Sequence, residues 1–224
     1  MGSNDIFRKR KNIKERKKEF LEPGINSFLI VTEGKCIEPN YFKGIQNNIS
    51  KSINGFVDIV EMPRIDIRGQ GVSTMQLIED TSKIIKKAKI MYQNIWVVFD
   101  KDDFIDFNDA IIKGEKQGYN IAWSNQSFEY WIYLHFSYSD AASHRSDWEK
   151  KLDSLFRENK LGNKKYEKNN KELFEILNSF DGPKIAISNA KKRMANYNKS
   201  NKPSEYDPGT TVYKLVEILL EYVN

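Results

Sequence analysis

The chain has 224 residues, 39% of them hydrophobic and 30% charged, with 13 Phe, 11 Tyr and 4 Trp, which suffices for one sizeable globular domain with an appendage. No apolar run approaches the roughly 20 residues needed to span a bilayer, and the start MGSNDIFRKRKN lacks the apolar stretch of a signal peptide, so a cytoplasmic location is expected. A single cysteine, Cys36, excludes an intrachain disulfide and a multi-cysteine zinc site, and with only His135 and His144 as histidines any metal must be held mainly by oxygen.

The net charge of +5 resides in the first 20 residues, where eight Lys or Arg face Asp5, Glu15 and Glu19; the remainder balances 28 basic against 28 acidic residues. Such a run is either a solvated end or an arm that meets phosphates. Ser27 to Thr32 (SFLIVT) then reads as a buried strand that breaks at Glu33-Gly34. A helix follows from about Pro39 to Ile49, with Tyr41, Phe42, Ile45 and Ile49 on one face. Residues 56–68 alternate like strand around Pro63, as one strand or two short ones. After the Gly69-Gln-Gly71 loop, Ser73 and Gln76 fit a capping box for an amphipathic helix that runs to about Met91.

Ile95 to Phe99 (IWVVF) is the most apolar run in the chain and too short for a helix, so it predicts a central parallel strand leading directly into Asp100. Asp103 to Gln117 reads as helix ended by Gly118, Tyr119 to Trp123 as strand, and Ser127 to Phe136 as an aromatic-rich helix. This alternation predicts an α/β fold with a parallel sheet and right-handed crossovers. Beyond residue 146 the pattern is of helices alone, near 146–159, 168–179, 183–197 and 208–223, with no strand expected. The expected organisation is a basic tail or arm over 1–22, an α/β core over 23–140, and a helical extension over 141–224 packed on the core.

In an open parallel sheet, ligands sit beyond the carboxyl ends of the strands, and Glu33, Asp100 and Asp102 fall at such ends. Asp100 and Asp102 are two apart, so in extended backbone their side chains share a direction. Clustered carboxylates repel one another without a cation, and hard Mg²⁺ or Mn²⁺ suits oxygen ligands. On spacing alone the alternative stays open that Glu33 is a turn acid and that Asp100, Asp102 and Asp103 start a helix.

The order of apolar strand, Glu33-Gly34, helix, and later strand with Asp100-x-Asp102 resembles the Toprim fold of topoisomerases, primases and overcoming-lysogenization-type nucleases. Three longer segments, LIVTEGKCIEPNYF (29–42), WVVFDKDDF (96–104) and SNQSFEYWIYLHF (124–136), together with YDPGTTVYKLVEILL (206–220), resemble the RloB family, also represented by the second component of the AbiL abortive-infection system. One departure is Gln126, where that family often has proline. The resemblance implies a Toprim-like core and a metal-dependent nuclease of prokaryotic antiviral defence, acting on RNA, tRNA included, or on DNA, beside an AAA-type ATPase. The chain has no Walker A motif of its own.

Carried onto this sequence, the resemblance implies metal ligation by Glu33, Glu38, Asp100 and Asp102 and a catalytic place for Glu129. Glu38 and Glu129 also fit dipole-stabilising acids in the first turns of their helices. His135, spaced i+4 from Trp131, is either a packed core histidine or a proton donor for the leaving oxygen. Cys36 reads as incidental. Candidates to face phosphate are Lys35, favoured by its position, Lys101 and the cluster Lys191, Lys192 and Arg193, with Lys164, Lys165 and Lys168 as a further basic run; such runs are more often solvated surface in a chain with 30% charged residues. Rival functions are a catalytically inactive nucleic-acid- or partner-binding sensor on the same fold, and the ribonuclease that matures 5S rRNA, which shares the Glu-Gly-Lys start.

Overall fold

The structure, a computed structural model, describes residues 22–53, 63–198 and 200–223. The basic tail and the first part of the 56–68 segment lie outside these residues. The described chain is an α/β fold built on a five-stranded sheet. Strand β1 (Glu22–Thr32) leads into helix α1 (Ile37–Ile53), β2 (Arg64–Gly69) into α2 (Thr74–Lys87), and β3 (Ile90–Asp100) into α3 (Phe107–Lys116). Strand β4 (Asn120–Asn125) leads into α4 (Phe128–Tyr133), followed by α5 (Arg145–Glu158), α6 (Leu173–Asn178), α7 (Gly182–Met194), β5 (Gly209–Thr210) and α8 (Val212–Leu220). The sheet order is β2-β1-β3-β4-β5, with every pair parallel except β4 and β5.

Two apolar layers follow from the two-residue period of the strands. Phe28 and Ile30 of β1 and Trp96 and Val98 of β3 point into one cluster, whereas Leu29, Val31, Val97 and Phe99 point into the other. The second layer is closed by α2 and α3 through Leu77, Ile78, Phe107, Ala110 and Ile111. The first is closed by α1 and α4 and by Trp148, Leu152, Phe156, Leu173, Phe174, Leu215 and Leu219 of the later helices. The C-terminal helices therefore complete the same core as β1 and β3. Each fully buried side chain of this size contributes roughly 1.5–3 kcal/mol.

Several expectations are corrected. Helix α1 starts at Ile37, so Pro39 stands third in it; a missing N–H is tolerated there because the first-turn N–H groups have no helical partner. Strand β3 begins at Ile90 rather than Ile95 because Glu22 to Gly24 pair with Ile90 to Tyr92, a tertiary partner that hydropathy does not reveal. Helix α3 begins at Phe107, four residues after Asp103, since Asp102 lies in the left-handed region at φ 39° and turns the chain. The 208–223 segment opens with β5, whose Thr210 and Gly209 pair antiparallel with Ser124 and Asn125. Two residues are too few to show a period.

Candidate active site

At the carboxyl ends of β1 and β3 the chain opens into a cleft of about 400 Å³ lined by acids. Glu33 follows the last residue of β1, and its N–H donates to Val98 O at 2.9 Å, which fixes it beside β3. Its side chain crosses to β3, where Oε2 accepts from the Asp100 N–H at 3.2 Å. Asp100 ends β3, and its Oδ2 accepts from the N–H of Phe128, the first residue of α4, at 2.9 Å. Glu38, in the first turn of α1, folds back so that Oε1 accepts from the Gly34 N–H at 3.2 Å. A Cβ on Gly34 would stand 2.2 Å from Glu38 Oε2, so a larger residue there would displace that carboxylate from its present position.

Burial is not matched by partners. Glu38 Oε2, Asp100 Oδ1 and the Ser127 hydroxyl are shut off from solvent and make no hydrogen bond. Such atoms are costly unless something polar meets them. Burial pushes the Glu33 carboxyl up to about 8, aided by the charges of Asp102, Glu38 and Asp106 and opposed by the Asp100 N–H. The Glu38 carboxyl is pushed to about 7 by burial and Glu129, against the Gly34 N–H and Lys168. Asp100 is raised well above the carboxylate range by burial and by Glu38 and Glu129.

Two cations stand among these acids. Arg145, the first residue of α5, places Nη1 2.9 Å from Asp102 Oδ2. Lys168 places Nζ 2.8 Å from both Glu129 Oε1 and Glu149 Oε1. As the side chains stand, no group of three or more described His, Cys, Asp or Glu residues is arranged to hold a metal ion. The donor chemistry nonetheless suits a hard cation: the lining acids are all oxygen donors, two of their oxygens are buried without a partner, and Asp102 and Glu129 are turned to Arg145 and Lys168.

Of the residues singled out in the sequence, Glu33, Glu38, Asp100, Asp102 and Glu129 all line this cleft. Lys35 is exposed at the adjoining turn, its Cε 2.3 Å from where a Cβ on Gly71 would lie, and Lys101 Nζ donates to Asp102 O at 3.4 Å. His135 is not brought to the cleft. It is fully buried, with Nε2 2.9 Å from the Tyr41 hydroxyl and Nδ1 3.0 Å from Trp131 O, and burial pushes its pKa down to about 3. It borders a separate cavity of about 560 Å³ with Phe136, Leu155, Leu161 and Phe180.

The Lys191, Lys192 and Arg193 cluster is also spent elsewhere. Lys191 pairs with Glu217, Lys192 lies over the Tyr138 ring, and Arg193 donates to Pro208 O and the Tyr206 hydroxyl. Sequence reasoning missed Arg145, Glu149 and Ser127, and singled out Lys168 only within a basic run. Arg145 and Glu149 have no local signal, since α5 meets the cleft through tertiary packing alone. The sequence model of the family described as RloB-like protein matches residues 28–219 of this chain. No curated protein and no solved structure matches it.

Proposed function

The chain belongs to the RloB-like protein family, and from that premise we propose that it is a metal-dependent nuclease that cleaves phosphodiester bonds of RNA or DNA in prokaryotic antiviral defence. The observation that carries this reading is the convergence of Glu33, Glu38 and Asp100 at the ends of two neighbouring parallel strands, with two carboxylate oxygens buried and unpartnered. A Toprim-like active site is the arrangement this reading implies.

Glu33, Asp100 and Asp102 would hold Mg²⁺ or Mn²⁺, with Glu38 on the same wall. When bound, such an ion lowers the pKa of water and offsets the charge that develops on the phosphate. Burial raises the Glu33 carboxyl to about 8; beside a bound cation it would instead stay the carboxylate, which serves either as a ligand or as the base that takes a proton from water. The Phe128 N–H orients Asp100, the Gly34 N–H orients Glu38, and the buried Ser127 hydroxyl lies beside them without a hydrogen-bond partner. Lys35 and Lys101, on the two turns that frame the cleft, would meet flanking phosphates. An AAA-type ATPase partner belongs to the same proposal, as the chain lacks a Walker A motif.

The test is cleavage of tRNA, single strands and duplexes by purified protein with Mg²⁺ or Mn²⁺, beside Asp100→Asn. Metal-dependent cleavage that the variant loses supports the nuclease; cleavage that survives the substitution defeats it. A second reading, an inactive sensor with structural acids, draws on the ion pairs of Asp102 and Glu129 with Arg145 and Lys168. Nucleic-acid binding without cleavage under every metal would favour it.

A further inference from the structure

Six carboxylates line the cleft, Glu33, Glu38, Asp100, Asp102, Glu129 and Glu149, and Arg145 and Lys168 share it with them. The two cations are held differently. Lys168 is braced between two glutamates, both at 2.8 Å. Arg145 has one short contact, to Asp102, and a second at 4.0 Å to Asp103, with its side chain 43% exposed. A guanidinium carries five donors in a planar fork, and here one carboxylate alone holds it at hydrogen-bond distance. Asp102 is anchored at its backbone, where the N–H donates to Gln126 O at 3.1 Å, so its carboxylate can turn without moving the strand end.

Resting on the nuclease reading above, we propose that Arg145 is a displaceable counter-ion that becomes a phosphate anchor. It neutralises Asp102 until that carboxylate turns to a divalent cation, and the freed guanidinium then takes a nonbridging oxygen of the substrate phosphodiester. The fork geometry of arginine matches phosphate oxygens as well as it matches a carboxylate, so the same group serves both states. An exposed ion pair biases such an exchange by only about two- to fivefold, which a divalent cation readily outweighs. Arg145 therefore opposes metal binding and supports substrate binding, two effects of opposite sign from one side chain. A purely structural arginine would oppose the metal in the same way but would lend nothing to phosphate binding.

The experiment measures Mn²⁺ affinity of the full chain by the electron paramagnetic resonance signal of free Mn²⁺, and the affinity of the Mn²⁺-loaded protein for inorganic phosphate by calorimetry. Wild type, Asp100→Asn, Arg145→Gln and Arg145→Lys are compared. Arg145→Gln is expected to bind Mn²⁺ about two- to fivefold tighter and phosphate about tenfold more weakly. Arg145→Lys keeps the charge that competes for Asp102, so its Mn²⁺ affinity stays near wild type while phosphate binding is only partly retained. Unchanged or weaker Mn²⁺ binding in Arg145→Gln overturns the proposal, as does unchanged phosphate affinity or a wild type that binds no phosphate. Mn²⁺ binding absent from the wild type, or undiminished in Asp100→Asn, instead removes the metal reading on which the proposal stands.

Discussion

The acidic cleft and the His135 pocket both bury titratable groups, and they differ in how those groups are satisfied. His135 has a partner on each ring nitrogen, Tyr41 and Trp131, and aromatic rings at its edges. The cleft leaves Glu38 Oε2 and Asp100 Oδ1 with none. The cavity beside His135 is the larger of the two, about 560 Å³ against about 400 Å³, yet its lining carries no acid. A satisfied buried polar pair stabilises a core, whereas an unsatisfied acidic cluster costs stability that a ligand can return. Burial and a shifted pKa occur in both regions, so what separates them is that the cleft gathers several carboxylates, two with a buried oxygen that has no partner, whereas His135 has both ring nitrogens met.

The sharpest way to break this contrast is to exchange roles between the regions. Asp100→Asn is expected to lower metal-dependent cleavage by about 10³-fold, read in single-turnover assays, with the melting temperature in EDTA unchanged or raised, because one of the cleft's two buried carboxylates with an unpartnered oxygen is removed. His135→Ala is expected to do the reverse, costing about 2–4 kcal/mol in denaturant unfolding through the cavity and the orphaned Tyr41 hydroxyl, with cleavage retained at temperatures where the variant stays folded. Loss of cleavage in folded His135→Ala would restore the proton-donor role and erase the distinction. Gly34→Ala, which drives a methyl into the Glu38 carboxylate, is expected to weaken Mg²⁺ binding and to cost about 1–3 kcal/mol; both are read from thermal melts with and without the ion.

The two regions also respond to pH with opposite sign. His135 is lowered from 6.5 to about 3, so its contribution is complete above pH 6.5 and is lost as pH falls toward 3. Glu33 is raised from 4.5 to about 8, so its contribution is complete below pH 4.5 and is lost as pH rises through 8. Melting curves across pH are therefore expected to flatten on the acid side in His135→Gln, and on the alkaline side in Glu33→Gln or with added Mg²⁺. Mg²⁺ that raises the melting temperature equally at pH 5 and pH 9 would contradict the carboxylate account. The smallest effect belongs to Lys191→Ala, which removes an exposed pair with Glu217 and is expected to change stability by less than about 1 kcal/mol in denaturant unfolding.

Much of this arrangement was legible in the chain. The apolar runs around Ile30 and Val97 announced buried parallel strands, and the acids directly after them marked where a ligand would sit, since strand ends and loop starts are encoded by neighbouring residues. The segments flanking Glu33, Asp100 and Glu129 carried the family resemblance. Less was legible wherever a partner distant in sequence decided the outcome. His135 carried the same signal, a polar residue in an aromatic helix, whether it turned toward the cleft or toward Tyr41. The Lys191 to Arg193 cluster was indistinguishable from a phosphate-binding face until Glu217, Tyr138 and Pro208 were found beside it.

The sequence by itself determined the order of strands and helices as far as α4, the two-faced apolar pattern of the central strands, and the three segments that bring acids to the sheet's edge, because these depend on periodicity and adjacency. Only the tertiary structure decided that β5 closes the sheet against β4, that Arg145 and Lys168 stand among the acids, and that His135 is kept out. Those outcomes depend on side chains from segments well separated in the chain competing for the same space and the same hydrogen bonds, and that competition leaves no periodic trace along the sequence.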